Sequence, residues 1–402
     1  MTGKRTRLAR ARKAAGYTQE DLAYALDLDV STIQRWEAGK SDPLPYKRPK
    51  LAHLLKVDRT QLDQLLHEQP DETASRTAGA IDTGEEAAWE LARRVAASDV
   101  GNETLSQLEN IVDELAVAYT TSAPAELSGR IRGYLSYVAR LMDGRKTLAE
   151  HRRLLVVGGW LSLLAATVHI DLKQPSAARA QLRTADSLAL HAEHDEIRAW
   201  GYETEAWRLL TDGDYPSALD FSRRAQAFAP VGSSIAIQAV AQEGRALARI
   251  GNRREVYGVL DRVEELVSPL RIPDRPEHHY HYDPTKAVAY MATTLAWAGD
   301  PAAEGFAREI LARLSPSKDV AKWPRRVAAA NLDLALALIV SDRMDEACDA
   351  TGRAISSGRV VPSNHWRAAE VVKAVEHREL PEAKDLREAY EELVRRAFPP
   401  TL

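Results

Sequence analysis

The chain has 402 residues, 45% hydrophobic and 28% charged, with a net charge of −4 and one cysteine, Cys348. That length exceeds one ordinary core, so two or more domains are expected, and the composition excludes a disordered chain. A lone thiol excludes a disulfide framework and any multi-cysteine metal site, and it suits a reducing cytoplasm, the compartment expected here.

Charge is unevenly placed. Residues 1–69 hold 13 Lys/Arg and 9 Asp/Glu, a balance of +4, whereas the remainder holds 41 and 49, a balance of −8. A small basic head on an acidic body suits a polyanion-binding module joined to a part that does not bind polyanions. Lys4, Arg5, Arg7, Arg10, Arg12 and Lys13 interrupt the N-terminus, so no secretory leader is expected there. The most apolar stretch, Leu154–Ile170, carries Gly158, Gly159, Ser162 and His169. It reads as a buried helix, and no membrane partner is expected.

Within the head, residues 17–39 spell two short helices around a tight turn. Thr18 is a natural N-cap, with Asp21 three residues on to complete a capping box. Leu22, Ala23 and Leu26 form an inner face. Asp27-Leu28-Asp29 makes the turn, Asp29 is expected to cap the second helix, and Gly39 ends it. Ile33 and Trp36 face inward, leaving Val30, Ser31, Gln34 and Arg35 outward.

A polar stretch over residues 70–85 reads as a linker. From residue 86 to 402 apolar residues recur at three- and four-residue spacing with no strand alternation, so the whole protein is expected to be all-α. This body repeats. Gly213-Asp-Tyr-Pro-Ser-Ala218, then Ala225 and Pro230, places a turn between two closely approaching helices. Equivalent positions are expected at Ala178, Ala218, Val256, Glu304 and Ala347. The longest irregular insert, Arg271–Pro284, holds His278, His279 and His281. A metal needs ligands converging with more order than a loop offers, so no metal and no cofactor are expected. Asp283 is expected to cap the helix that Pro284 opens.

The segment Thr18-Gln-Glu-Asp-Leu-Ala23 with Ser31-Thr-Ile-Gln-Arg-Trp-Glu-Ala-Gly-Lys40 resembles the phage-repressor (Cro/cI, or XRE) helix-turn-helix family, over residues 5–66. The resemblance implies a small five-helix, lambda-repressor-like domain at residues 1–69 that binds double-stranded DNA. It puts Gln19 at a phosphate or base edge, and Val30, Ser31 and Arg35 on base-contacting positions with Thr32 and Gln34 nearby. It makes Arg12 and Glu37 a structural ion pair. Asp27 departs from the glycine usual in the turn, but Asp tolerates left-handed geometry. The chemistry agrees: Arg35 can bond a guanine bidentately, Val30 can meet a thymine methyl, and Lys40, Lys47 and Arg48 can neutralise phosphates.

The body resembles tetratricopeptide repeats, an α-solenoid in which each first helix lines a concave face. Those offsets put Trp160, Trp200, Glu203, Trp207, Gln238, Arg245, Arg249 and Lys286 on that face. Head and body together resemble the Rgg/Rap/NprR/PlcR class of bacterial quorum-sensing regulators. This implies a homodimer on an inverted-repeat operator, switched by a signalling peptide or small molecule. The competing reading is a protein-interaction adaptor that sequesters a partner in the repeat groove. No phosphate loop, nucleophile elbow or zinc-protease signature is present, so no enzyme is expected.

Overall fold

The computed structural model describes residues 5–44, 46–66, 91, 98–314 and 323–397. Among the described residues there is helix and no strand, as the apolar spacing requires. The chain divides into two compact units, Met1–Ala88 and Trp89–Leu402. The expected linker, residues 70–85, lies outside the described residues.

Among its described residues the first unit has five helices: α1 (Thr6–Ala14), α2 (Gln19–Leu26), α3 (Val30–Glu37), α4 (Arg48–Leu55) and α5 (Arg59–Leu66). Thr18 caps α2 as its sequence demands. Its hydroxyl accepts the Asp21 N–H at 3.0 Å, and the Asp21 carboxylate accepts the Thr18 N–H at 3.0 Å. Asp27 takes the left-handed conformation, φ 56°, that a glycine would otherwise supply. Asp29 corrects one expectation: it stands at the N-cap of α3, but its side chain makes no capping bond. Leu22, Leu26, Ile33, Trp36, Leu51 and Leu62 fill the core, each at most 4% exposed.

The second unit is an α-solenoid of antiparallel helix pairs. In order these are α6 (Asn102–Ala118) with α7 (Pro124–Asp143), α8 (Leu148–Asp171) with α9 (Pro175–Ala192), and α10 (Asp195–Asp212) with α11 (Tyr215–Phe228). Next come α12 (Ser234–Ile250) with α13 (Arg253–Val267), and α14 (Pro284–Trp297) with α15 (Ala303–Leu314). The last are α16 (Pro324–Val340) with α17 (Met344–Ser356), and α18 (His365–His377) with α19 (Ala383–Ala397). The first helix of each pair packs on the first helix of the next, so α6, α8, α10, α12, α14, α16 and α18 form a continuous inner layer.

A backbone signature marks the repeat better than any side chain. From α8 onward, each inner helix is followed by a left-handed residue: Lys173, Gly213, Gly251, Gly299, Asp342 and Glu379, with φ between 52° and 87°. Ala178, Ala218, Val256 and Ala347 pack at 0–1% exposure, as their offsets imply. The unit at Glu304 is out by one residue. Ala303, fully buried, fills the small-residue position, while Glu304 turns outward to Arg308 at 2.8 Å and to Arg343 at 2.5 Å.

Helix α8 is long and apolar enough to cross a membrane, yet 83% of its most apolar window is buried within the unit. Its burial depends on Gly158 and Gly159. A Cβ there would lie 3.2 Å from Leu188 Cδ1 and 3.1 Å from Ile197 Cδ1 respectively, so α9 and α10 close on it only because both side chains are absent.

The inner layer then meets itself. A 3₁₀ turn, Pro362–Asn364, packs against α8. Asp171, at the end of α8 and 2% exposed, accepts the Tyr119 hydroxyl at 2.9 Å, Arg325 Nη1 at 3.0 Å and the Ser363 hydroxyl at 3.1 Å. Arg325 and Arg359 also donate to the carbonyls of Ser122 and Thr121, at 2.7 and 3.1 Å. The first and last turns of the solenoid are thereby fastened together, and the concave face becomes the wall of a chamber.

Candidate DNA-reading helix and central chamber

On α3 the 3.6-residue period separates two faces. Ile33, Trp36 and Glu37 are buried, while Ser31, Gln34 and Arg35 are exposed and Thr32 is half-buried. Lys40 is exposed just beyond the helix. Val30 is half-buried against the head core, so only part of its side chain is available to a base.

An ordered network sets the pose of α3. Arg12 Nε of α1 donates to Glu37 Oε1 at 2.6 Å, and their side chains are only 7% and 10% exposed. Arg12 Nη1 also donates to the Tyr17 carbonyl at 2.8 Å. Gln19 Nε2 donates to the other oxygen of Glu37 at 2.7 Å, and Gln34 Nε2 donates to Gln19 Oε1 at 3.5 Å. Gln19 thus sits at the N-terminus of α2 with its amide already engaged, and it orients Gln34. At the other end of α3, Arg5 donates to the Trp36 and Ser41 carbonyls at 3.1 and 2.9 Å and pairs with Asp42.

Two of the cations expected at phosphates have internal duties. Lys47 Nζ donates to the Leu26 carbonyl at 2.8 Å, satisfying the C-terminus of α2. Arg48 donates to the Pro43 carbonyl at 3.0 Å and lies 3.5 Å from Asp63.

In the body, the inner layer surrounds a cavity of about 270 Å³. Of the groove residues expected from the sequence, Trp200, Glu203, Trp207, Gln238, Arg245 and Lys286 line it. Arg249 does not. It lies one helical turn beyond Arg245, where its guanidinium is held among the rings of Trp297, Trp366 and Tyr215, at 5.3, 4.7 and 5.6 Å, and pairs with Glu370. Trp160 is also outside the lining, with its ring 4.8 Å from that of Tyr280.

Sequence reasoning missed the far wall: Asp171, Tyr290, Arg325, Arg326, Asp333 and Arg367. Four of these stand on α16 or α18, so the offsets used for the earlier helices would have found them if carried to the last units.

The histidine-rich insert packs as structure. His278 and His281 stack at 4.0 Å, the His279 ring lies 4.4 Å from Tyr119, and Tyr280 and Tyr282 are each 4% exposed. Burial depresses the His278 imidazole to about 4 and pushes His279 well below its ordinary value, so both are neutral. Asp283 caps α14, accepting the Thr285 and Lys286 N–H groups at 2.8 and 3.2 Å.

Counter-ions are distributed unequally around the chamber. Arg325 meets Asp171 at 3.0 Å, Arg326 meets Asp283 at 3.2 Å, and Arg367 pairs with Asp333. Among the described residues Lys286 Nζ has only the carbonyls of His279 and His281 as hydrogen-bond partners, and burial beside Arg326 lowers it to about 7. Arg245 lies over the Tyr290 and Trp207 rings, at 4.1 and 5.2 Å, and among the described residues its side chain bonds only Gln242. Glu203, 6% exposed, accepts Gln238 Nε2 at 2.8 Å, and burial raises its carboxyl.

Residues 8–62 match the profile of a protein family described as helix-turn-helix. No curated protein matches the chain.

Proposed function

We propose that this protein is a sequence-specific DNA-binding transcriptional regulator that reads the major groove with α3. The helix-turn-helix domain at residues 8–62 is of the kind used by DNA-binding regulators. The observation that carries the finer reading is the polar exposed face of α3, Ser31, Gln34 and Arg35, held rigid by the buried Arg12–Glu37 pair beneath it. Arg35 would fork onto a guanine, Ser31, Thr32 and Val30 would meet neighbouring bases, and Lys40 would meet a phosphate. Gln19 would steer Gln34 and contact the backbone through α2's N-terminus.

In this reading the tetratricopeptide-like body senses a small ligand and pairs two chains. Two heads must reach successive major grooves, about 34 Å apart, so an inverted-repeat operator is the expected site. The ligand acts by favouring one spacing of the heads, and it shifts that equilibrium only by its differential affinity for the two states.

The test is a salt titration of binding to a genomic operator and to scrambled duplex, with wild type and Arg35→Ala. Wild type should prefer the operator, and Arg35→Ala should lose about 1–3 kcal/mol of discrimination while retaining salt-dependent affinity for both duplexes. Equal, sequence-blind binding by both proteins would reject the regulator and favour the adaptor, for which a polar reading face has no use.

A further inference from the structure

Six Arg and Lys side chains line the chamber. Arg359 is exposed and donates to the Thr121 carbonyl, and the other five fall into two kinds. Arg325, Arg326 and Arg367 each face a buried carboxylate, whereas among the described residues Arg245 and Lys286 have none within ion-pair distance. A buried cation without a counter-ion costs several kcal/mol, and packing alone would favour an apolar residue there. Arg245 is 8% exposed and its Nε has no acceptor. Beside it stand the rings of Trp207 and Tyr290, with Trp200 further along the wall.

We infer that the chamber binds a compact organic anion with a flat apolar portion, its acidic group between Arg245 and Lys286 and its ring against the Trp207 and Tyr290 side. A volume of about 270 Å³ suits such a molecule better than an extended peptide. Glu203, carried on Gln238 at 2.8 Å, offers an acceptor to a donor on the same ligand. Bringing an anion to Lys286 restores the charged ammonium that burial disfavours, so binding takes up a proton near neutral pH.

This inference rests on the body being the sensing unit, and it is tested without DNA, so its failure leaves the α3 reading intact. The probes are a matched pair: 8-anilinonaphthalene-1-sulfonate, and N-phenyl-1-naphthylamine, which lacks the sulfonate. On the full-length protein the sulfonate should bind once per chain and at least tenfold more tightly than the neutral dye. Arg245→Met and Lys286→Met should each weaken the sulfonate at least tenfold and leave the neutral dye within twofold. Circular dichroism and melting establish that both variants fold, and Arg223→Met, on the outer helix α11, should leave both dyes unchanged. Equal affinity for the two dyes, or sulfonate binding unmoved in folded Arg245→Met and Lys286→Met, would overturn the assignment.

Discussion

Replacing Asp171 with Asn tests whether the solenoid is fastened end to end. The substitution keeps size and removes charge. Asp171 is 2% exposed and accepts from three donors: Tyr119, Arg325 and Ser363. Asparagine offers one acceptor oxygen where the carboxylate offered two, so at least one donor is stranded, a cost of about 1–3 kcal/mol. The Arg325 guanidinium, 16% exposed, also loses its counter-ion. Removing one partner of a buried pair costs about 3–5 kcal/mol, but Arg325 keeps the Ser122 carbonyl at 2.7 Å and the Tyr119 ring at 4.7 Å. A total near 3 kcal/mol is expected, measured by denaturant unfolding of the full-length protein. Hydrogen exchange should locate the loss in α6 and in residues 359–365, on the two sides of the fastening. Because the cost is the stranded charge, Asp171→Asn with Arg325→Gln should recover more than 1 kcal/mol relative to the sum of the single changes. Purely additive effects, or loss of protection spread evenly over the solenoid, would refute the fastening.

Three further outcomes are expected. Arg12→Met should destabilise the head by about 3 kcal/mol by leaving the Glu37 carboxylate buried without its cation, and adding Glu37→Gln should restore part of that; melting of the head resonances checks both. Asp27→Gly should stabilise the head by about 1 kcal/mol, since φ 56° there is strained for Asp and free for Gly; a lowered denaturation midpoint would contradict it. Lys286 sits about 7 in the folded protein against an ordinary 10.5, so between these values the unfolded chain binds more protons and stability rises with pH. The groups facing it are Asp283, Glu203, Arg326, His278 and His279. The rise should be on the order of 4 kcal/mol from pH 7 to 10 and absent from Lys286→Met, so parallel stability–pH curves would refute the burial of that ammonium.

The head was legible because its signals are local. Thr18 and Asp21 make a capping box within one turn of helix, Asp27 supplies left-handed backbone where the turn falls, and Ile33 and Trp36 set which face of α3 remains outside. In the body, small residues at helix crossings betrayed the pairs, but the period was blurred. Half of the left-handed turns carry Lys173, Asp342 or Glu379 instead of glycine, and those residues leave no mark in a sequence.

From its own sequence this protein determined its helices, its two-part organisation and the inner-helix positions that face one another, because each depends on neighbours three or four residues away. Tertiary structure alone decided that the concave face closes, through Asp171 reaching Arg325 and Ser363 across 154 and 192 residues. It alone decided which basic residues found carboxylates. Arg245 and Arg249 are one helical turn apart and alike in sequence, yet among the described residues one faces the chamber with no carboxylate in ion-pair distance and the other is sealed against Glu370. Charge pairing acts over a few ångströms of space, and the solenoid's curvature, summed over many helix crossings, determines which distant residues come within them.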